Sequence, residues 1–288
     1  MQRRTFIKSL GVLAGSTSAA GLLAACGDDA PTTPGPSATT AAQLNVVHAS
    51  LETLAGEARR FAFGLTTLDN VPLKNARALV HVRTMEGKEI GGPYPALFHD
   101  EGGSPLGLYV ARIDLPEAGT YEAQVEAGDA KGTVVISVIA PEESTVPVPG
   151  GPAVAVATPT TAADLGVRAI CTNNPPCPMH AESLDAALRA GRPVALLFAT
   201  PAYCASALCA PAVDTLQEVR DSRDWGDVEF IHVEIFSDEG QTVLQAVTDW
   251  GLRSEPWFFA IDRDGVVSDR VDGPMIASEL TAMIEDLV

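Results

Sequence analysis

Apolar and polar residues alternate with a period of two through the first half of the chain. The runs are Arg60-Phe61-Ala62-Phe63-Gly64-Leu65, Ala78-Leu79-Val80-His81-Val82-Arg83, Gly107-Leu108-Tyr109-Val110-Ala111-Arg112-Ile113, Tyr121-Glu122-Ala123-Gln124-Val125 and Thr133-Val134-Val135-Ile136-Ser137-Val138. Side chains of a strand point alternately to opposite faces, so five or more such runs, broken by turn residues and with no helical period between them, predict an antiparallel β-sandwich over residues 44–139. The pattern changes after residue 180. Ser183 to Gly191 reads as an N-capped helix ended by glycine, and Arg192-Pro193 leads into the uniformly apolar strand Val194 to Phe198. A helix over Ala212–Arg220, a strand over Val228–Phe236, a helix around Gln241–Trp250, a hairpin from Trp257 with an Asp264-Gly265 turn, and a helix from Ala277 complete the prediction for a domain over 162–288.

Two stretches lack this patterning. Residues 27–43 carry no large apolar side chain before Leu44 and read as a disordered tether. Residues 140–161 hold five prolines and two glycines among small residues and read as a Pro-rich linker. Ahead of the tether, Met1-Gln2-Arg3-Arg4-Thr5-Phe6-Ile7-Lys8 resembles a twin-arginine export signal, and Leu23-Ala24-Ala25-Cys26 resembles a bacterial lipobox. The intervening weakly apolar run is shorter than the roughly 20 residues a spanning helix needs. The resemblance implies that residues 1–26 form a signal ending at a lipidated Cys26, which would tether the protein to the extracytoplasmic face of a bacterial membrane. The phrase Asp114 to Tyr121 in the first domain resembles the turn and tyrosine that enter a late strand of immunoglobulin-like domains.

Charge narrows the partners. Loss of Arg3, Arg4 and Lys8 with the leader takes the formal charge from −18 to −21, a surface that repels nucleic-acid phosphates and excludes that partner class. Of the five cysteines, Cys26 belongs to the lipobox, leaving Cys171, Cys177, Cys204 and Cys209 in the C-terminal half. An even number in an exported protein favours disulfides, with three connectivities open.

The segment Thr200-Pro201-Ala202-Tyr203-Cys204-Ala205-Ser206-Ala207-Leu208-Cys209 follows the buried strand directly. Taken with the order strand, cysteine, helix, strand, helix, proline, hairpin, helix, it is similar to the thioredoxin-like family over about 180–288. The resemblance implies an immunoglobulin-like sandwich followed by an α/β thioredoxin-like domain, with Cys204 the attacking thiolate, Cys209 the resolving thiol, and Pro256 a cis proline shaping the substrate groove. It departs from the family in its four intervening residues, in Leu197 where the family keeps a buried acid, and in Tyr203 where it keeps a Trp. On one continuous helix, residues five apart are turned by about 140° and separated by about 7.5 Å along the axis, too divergent for a disulfide. Cys204 must therefore sit in the loop before the helix, or the first turn must unwind. Peroxiredoxins on the same fold also carry a C-x4-C pair, but Pro201 occupies the slot of their activating Thr or Ser.

A second chemistry lies in Cys171-Thr172-Asn173-Asn174-Pro175-Pro176-Cys177-Pro178-Met179-His180. Cys171, Cys177, Met179 and His180 are soft or borderline donors that suit copper, with His232 the only late histidine that could join them; a loop closed by a Cys171–Cys177 disulfide is the alternative. His48, His81 and His99 are scattered strand residues. The function expected from the sequence is thiol-disulfide exchange with envelope proteins bearing thiols or disulfides, with no cofactor. The alternatives are a redox-silent binding module held by structural disulfides, a copper-handling protein, and a peroxidase.

Overall fold

β2 (Gly56–Thr67) places Phe61, Phe63 and Leu65 on one face, all fully buried, and this period-two face nucleates the first core. The computed structural model describes residues 42–101, 104 and 106–288; the export signal, Cys26 and residues 27–41 lie outside the described residues. β1 (Ala42–His48), whose first two residues come from the stretch read as tether, pairs antiparallel with β2. β3 (Ala78–Thr84), β4 (Glu89–His99), β5 (Leu108–Leu115), β6 (Gly119–Ala127) and β7 (Ala130–Val138) follow. The runs read from the sequence fall within β2, β3, β6 and β7, and the run from Gly107 begins one residue before β5.

Their arrangement corrects the expected sandwich. The strands close into a seven-stranded barrel in the order β1-β2-β5-β4-β3-β6-β7. Closure depends on a short parallel contact in which Ala42 faces Ala130 and Gln43 faces Lys131. Pairing β1 to β7 removes two open sheet edges, each of which would otherwise present unpaired backbone groups. Phe61 packs at 5.0 Å from Phe63, Phe63 at 5.5 Å from Tyr109, and Tyr109 at 5.0 Å from Phe98. The Tyr121 hydroxyl donates to the Glu117 carbonyl at 2.9 Å, pinning the turn into β6. The histidines here have local partners: His48 stacks on Phe61 at 5.3 Å, His81 lies 3.1 Å from Glu89 and His99 lies 3.5 Å from Glu101.

The second half also departs from expectation. Its strands β8 (Val194–Phe198), β9 (Glu229–Val233), β10 (Trp257–Ile261) and β11 (Val267–Asp272) form one sheet in the order β11-β10-β8-β9, with β8 and β9 parallel and the other pairs antiparallel. Strands outweigh helices among the described residues. Its α-helices α1 (Leu184–Arg189), α2 (Cys209–Asp221), α3 (Gln245–Asp249) and α4 (Ala277–Glu285) contribute only 6, 13, 5 and 9 residues. The expectation of an α/β thioredoxin-like domain is therefore corrected. The segments read as long helical connections are largely irregular loop, because turns and side-chain bonds such as Asp238 to the amides of Gln241 and Thr242 take up much of the chain between β9 and α3.

The Pro-rich run 140–161 holds a single 3₁₀ turn at Pro141–Glu143, yet it packs firmly. Gly150 N–H donates to Val267 O at 2.8 Å and Val267 N–H to Gly151 O at 2.9 Å, and the Trp250 indole donates to Val154 O at 3.1 Å. Ser183 occupies the N-cap position of α1 without capping it. Thr158 Oγ1 instead accepts the Leu184 N–H at 3.0 Å, while Thr158 N–H donates to Ser183 Oγ at 2.9 Å.

The barrel and the sheet are one compact unit over Ala41–Val288. Ile276, fully buried, packs with Ala62, Leu108 and Val110 on the outer face of β2 and β5. Around it the Arg60 guanidinium donates to Glu279 and to Pro274 O, and the buried Asp272 carboxylate accepts the N–H groups of Leu51 at 3.0 Å and Glu52 at 2.9 Å. Burial raises the Asp272 pKa above the ordinary carboxylate range. Asp272→Ala strands both amides and should lower the unfolding free energy by about 2 to 4 kcal/mol in urea titrations; a loss of less than about 0.5 kcal/mol, the range of an ordinary surface change, would contradict this role.

Candidate functional site

The parallel register of β8 and β9, with Leu197 opposite His232 and Phe198 opposite Val233, brings the loops after both strands to one end of the sheet. The loop after β8 runs through turns from Thr200 to Leu208, with Ala207 at φ 59°, before α2 begins at Cys209. Cys204 thus lies in the loop, and the constraint on a C-x4-C pair is met by delaying the helix.

The two thiols differ sharply. Cys209 is fully buried; burial, followed by its hydrogen bond to Cys204, pushes its pKa well above the ordinary thiol value. Cys204 is half-buried at the loop surface. Burial alone would raise its pKa, but hydrogen bonds from the Cys209 thiol, the Ser206 hydroxyl and the backbone N–H groups of Cys209 and Leu208 outweigh that and lower it. The Ser206 hydroxyl is 3.2 Å away. The amides belong to the start of α2, where unpaired N–H groups and the positive end of the helix dipole favour a thiolate.

A Glu255 carboxylate oxygen lies within 4.8 Å of both sulfurs, and burial raises the pKa of this group. Leu197, at the position where the sequence resemblance anticipates an acid, is fully buried in the apolar core; the acidic group beside this pair is Glu255, directly before Pro256. The Glu255–Pro256 peptide bond is cis. Glu255 was missed in the sequence, where it is one acid among 37; its place beside a proline that opens a strand is the only local signal.

A second cluster lies alongside. Cys171, Cys177, His180 and His232 bring one donor atom each to within 4.8 Å of the others. Cys177 Sγ lies 3.7 Å from Cys171 Sγ, 3.2 Å from His180 Nε2 and 3.3 Å from His232 Nδ1, and Cys171 Sγ is 3.9 Å from His232 Nδ1. At 3.7 Å the two sulfurs are free thiols, well beyond the roughly 2.05 Å of a disulfide. The hydrogen bond shared by the two thiols holds the Cys171 pKa far below the ordinary thiol value and, with burial, pushes that of Cys177 up.

The cysteine loop is fastened at several points. His232 N–H donates to Met179 O at 2.8 Å and Thr161 N–H to His180 O at 3.0 Å. Thr172 N–H and Oγ1 both donate to the buried Glu234 carboxylate, and Asn173 Nδ2 donates to Asp214 on α2 at 3.0 Å. The two clusters are joined directly where Ala202 N–H donates to Thr172 Oγ1 at 3.0 Å. Met179, among the sequence candidates, is buried in the apolar core that contains Leu197, Val213 and Phe258.

No protein-family model matches the chain, and no curated protein matches it. Solved structures similar to it include the Lin-41 filamin domain (11% identity, TM-score 0.23), the IG27 protein domain (14%, 0.20) and a conjugative transposon lipoprotein from Bacteroides eggerthii (8%, 0.19). Each covers 34% of this chain and 93%, 98% and 96% of its own. Similarity at this level carries no conclusion about the chain's activity. Among the described residues, no helix is long and apolar enough to cross a membrane.

In the reduced protein, alkylation of Cys204 by iodoacetamide should reach half its maximal rate below pH 8.5, the ordinary thiol value of about 8.5 being the reference, and Cys209 should lag at every pH. Peptide mapping by mass spectrometry reads both; a Cys204 midpoint at or above the reference would contradict the thiolate environment.

Proposed function

We propose that the protein exchanges thiols and disulfides with partner proteins through Cys204 and Cys209. The observation that carries this reading is the asymmetry of the pair: one thiol near the surface with its thiolate favoured by helix N-terminal amides, the other fully buried with its proton held. That is the division of labour between a nucleophile and a resolving thiol.

The Cys204 thiolate attacks a sulfur of the partner's disulfide. The partner S–S bond breaks, a Cys204–partner bond forms, and the departing partner sulfur takes up a proton. Cys209 then loses its proton, for which the Glu255 carboxylate within 4.8 Å is the nearby acceptor, and attacks Cys204 Sγ. The partner leaves as a dithiol, reduced by two electrons, and the Cys204–Cys209 pair is left as a disulfide. Every step runs in reverse when a partner dithiol meets the oxidised pair. Pro256, buried and joined by a cis peptide bond to Glu255, directly follows the residue whose carboxylate neighbours both sulfurs. In an assay with a disulfide-bonded peptide, Cys204→Ser should abolish exchange, and Cys209→Ser should accumulate a mixed disulfide on Cys204 detectable by mass spectrometry. Undiminished exchange in Cys204→Ser would end this proposal.

The same reading places the protein on the outer face of a bacterial membrane, supported by the twin-arginine pattern and by Cys26 in its lipobox-like setting. Cys26→Ala should move the protein from the membrane fraction to the soluble extracytoplasmic fraction. Retention of the variant in the membrane after a high-salt wash would contradict lipid anchoring.

A further inference from the structure

We infer that Cys171, Cys177, His180 and His232 form a closed, four-coordinate zinc site. The donors come from two separate parts of the chain, the loop 171–180 and strand β9, and meet beneath the surface: Cys177 is 5%, His180 3% and His232 1% exposed.

The distances match such a centre. Around a tetrahedral Zn²⁺ with Zn–S of about 2.3 Å and Zn–N of about 2.0 to 2.1 Å, neighbouring sulfurs lie about 3.8 Å apart, and a sulfur and a nitrogen about 3.6 Å apart. Here the sulfurs are 3.7 Å apart and the sulfur–nitrogen separations are 3.2, 3.3 and 3.9 Å.

The orientation of His232 points the same way. Its Nε2 lies 3.1 Å from the Ala199 carbonyl, a partner that accepts only from N–H, so the ring's lone pair is on Nδ1 and faces both cysteines. Ligating histidines are held in this manner by a carbonyl or carboxylate on the far nitrogen. The Cys177 backbone N–H, 3.3 Å from Cys171 Sγ, supports that sulfur as an acceptor. Cys177 is approached by two imidazole nitrogens and a second sulfur, whereas one thiol proton serves one acceptor. A cation at the centre satisfies all four donors together.

The donor set selects zinc over copper(I). Two thiolates neutralise a divalent ion, so the largely buried centre carries no net charge; with Cu⁺ it would hold an uncompensated negative charge among mostly buried donors. A surface cavity of about 360 Å³ lined by Asp164, Arg168, Cys171, Pro176, Cys177 and His180 provides access to the ion's position. Because Thr172 of this loop bonds to Ala202 of the Cys204 loop, a metal here would also hold in place the wall of the exchange site.

The test uses the full chain, purified in detergent, reduced and stripped with a chelator. Titration with Zn²⁺ and elemental analysis should give one tightly held ion per chain, and X-ray absorption should show two sulfur and two nitrogen neighbours. Cys177→Ser and His232→Gln should each weaken binding by more than the roughly 10–100-fold that loss of an orienting partner costs. The Cys204→Ser/Cys209→Ser double variant should keep full affinity. Absence of stoichiometric binding, binding that disappears in the double variant, a sulfur-only shell, or uptake of Cu(I) without Zn²⁺ would each overturn the assignment. The absorption spectrum of the unaltered protein decides the matter even if a ligand variant fails to fold.

Discussion

The parallel pairing of β8 with β9 is the interaction on which the chemistry of this protein depends. With Leu197 opposite His232, the carbonyl of Ala199, one residue beyond β8, falls where it accepts from His232 Nε2, and the loop leading to Cys204 starts from the same point. β8 is fully buried along its length, flanked by β9 and β10, so neither loop can shift without disturbing the core. A slip of one residue would turn His232 to the other face of the sheet and separate it from Cys171 and Cys177.

From that frame the two cysteine clusters take opposite characters. The Cys204 sulfur meets N–H groups of a helix start and a hydroxyl, which stabilise negative charge while leaving the atom half accessible. The Cys171 and Cys177 sulfurs meet imidazoles and each other under a loop fastened to β9, to Glu234 and to Asp214. Similar atoms thus meet thiolate-stabilising groups in one place and further donor atoms in the other, because access and the nature of the facing groups differ. The bonds from Ala202 to Thr172 and from Asn173 to Asp214 on α2 make the two neighbourhoods mechanically continuous.

The barrel is joined to this sheet by groups whose burial makes the joint specific. Ile276 fills the outer surface of β2 and β5, and the buried Asp272 at the end of β11 accepts from two amides of the chain between β1 and β2. Arg270 donates to Glu52 and to the carbonyls of Val146 and Pro147, which draws the Pro-rich run into the same joint. A segment that reads as a spacer therefore serves as packing between the two halves.

Local pattern was enough to read the strand runs of the barrel, the buried strand before Cys204, the C-x4-C pair and the loop carrying Cys171 to His180, because alternation, apolar runs and turn residues are properties of neighbouring residues. It was not enough for β4, whose Gly91-Gly92-Pro93 and Pro95 break the alternation, nor for the closure of the barrel, which rests on two residue pairs linking β1 to β7. It misjudged the second half as an α/β thioredoxin-like domain, since helical spacing does not reveal how much chain the loops consume. Glu255 was invisible as a site residue, and His232 stood out only as a late histidine that could join the cysteine loop, because each sits in or beside a strand whose local pattern is explained by packing alone. The chain's own sequence determined which chemical groups are available and roughly where strands form. Only the tertiary structure decided which of those groups meet, because residues 61 apart, such as Cys171 and His232, are brought within 3.9 Å by strand register, a constraint that no local window of sequence contains.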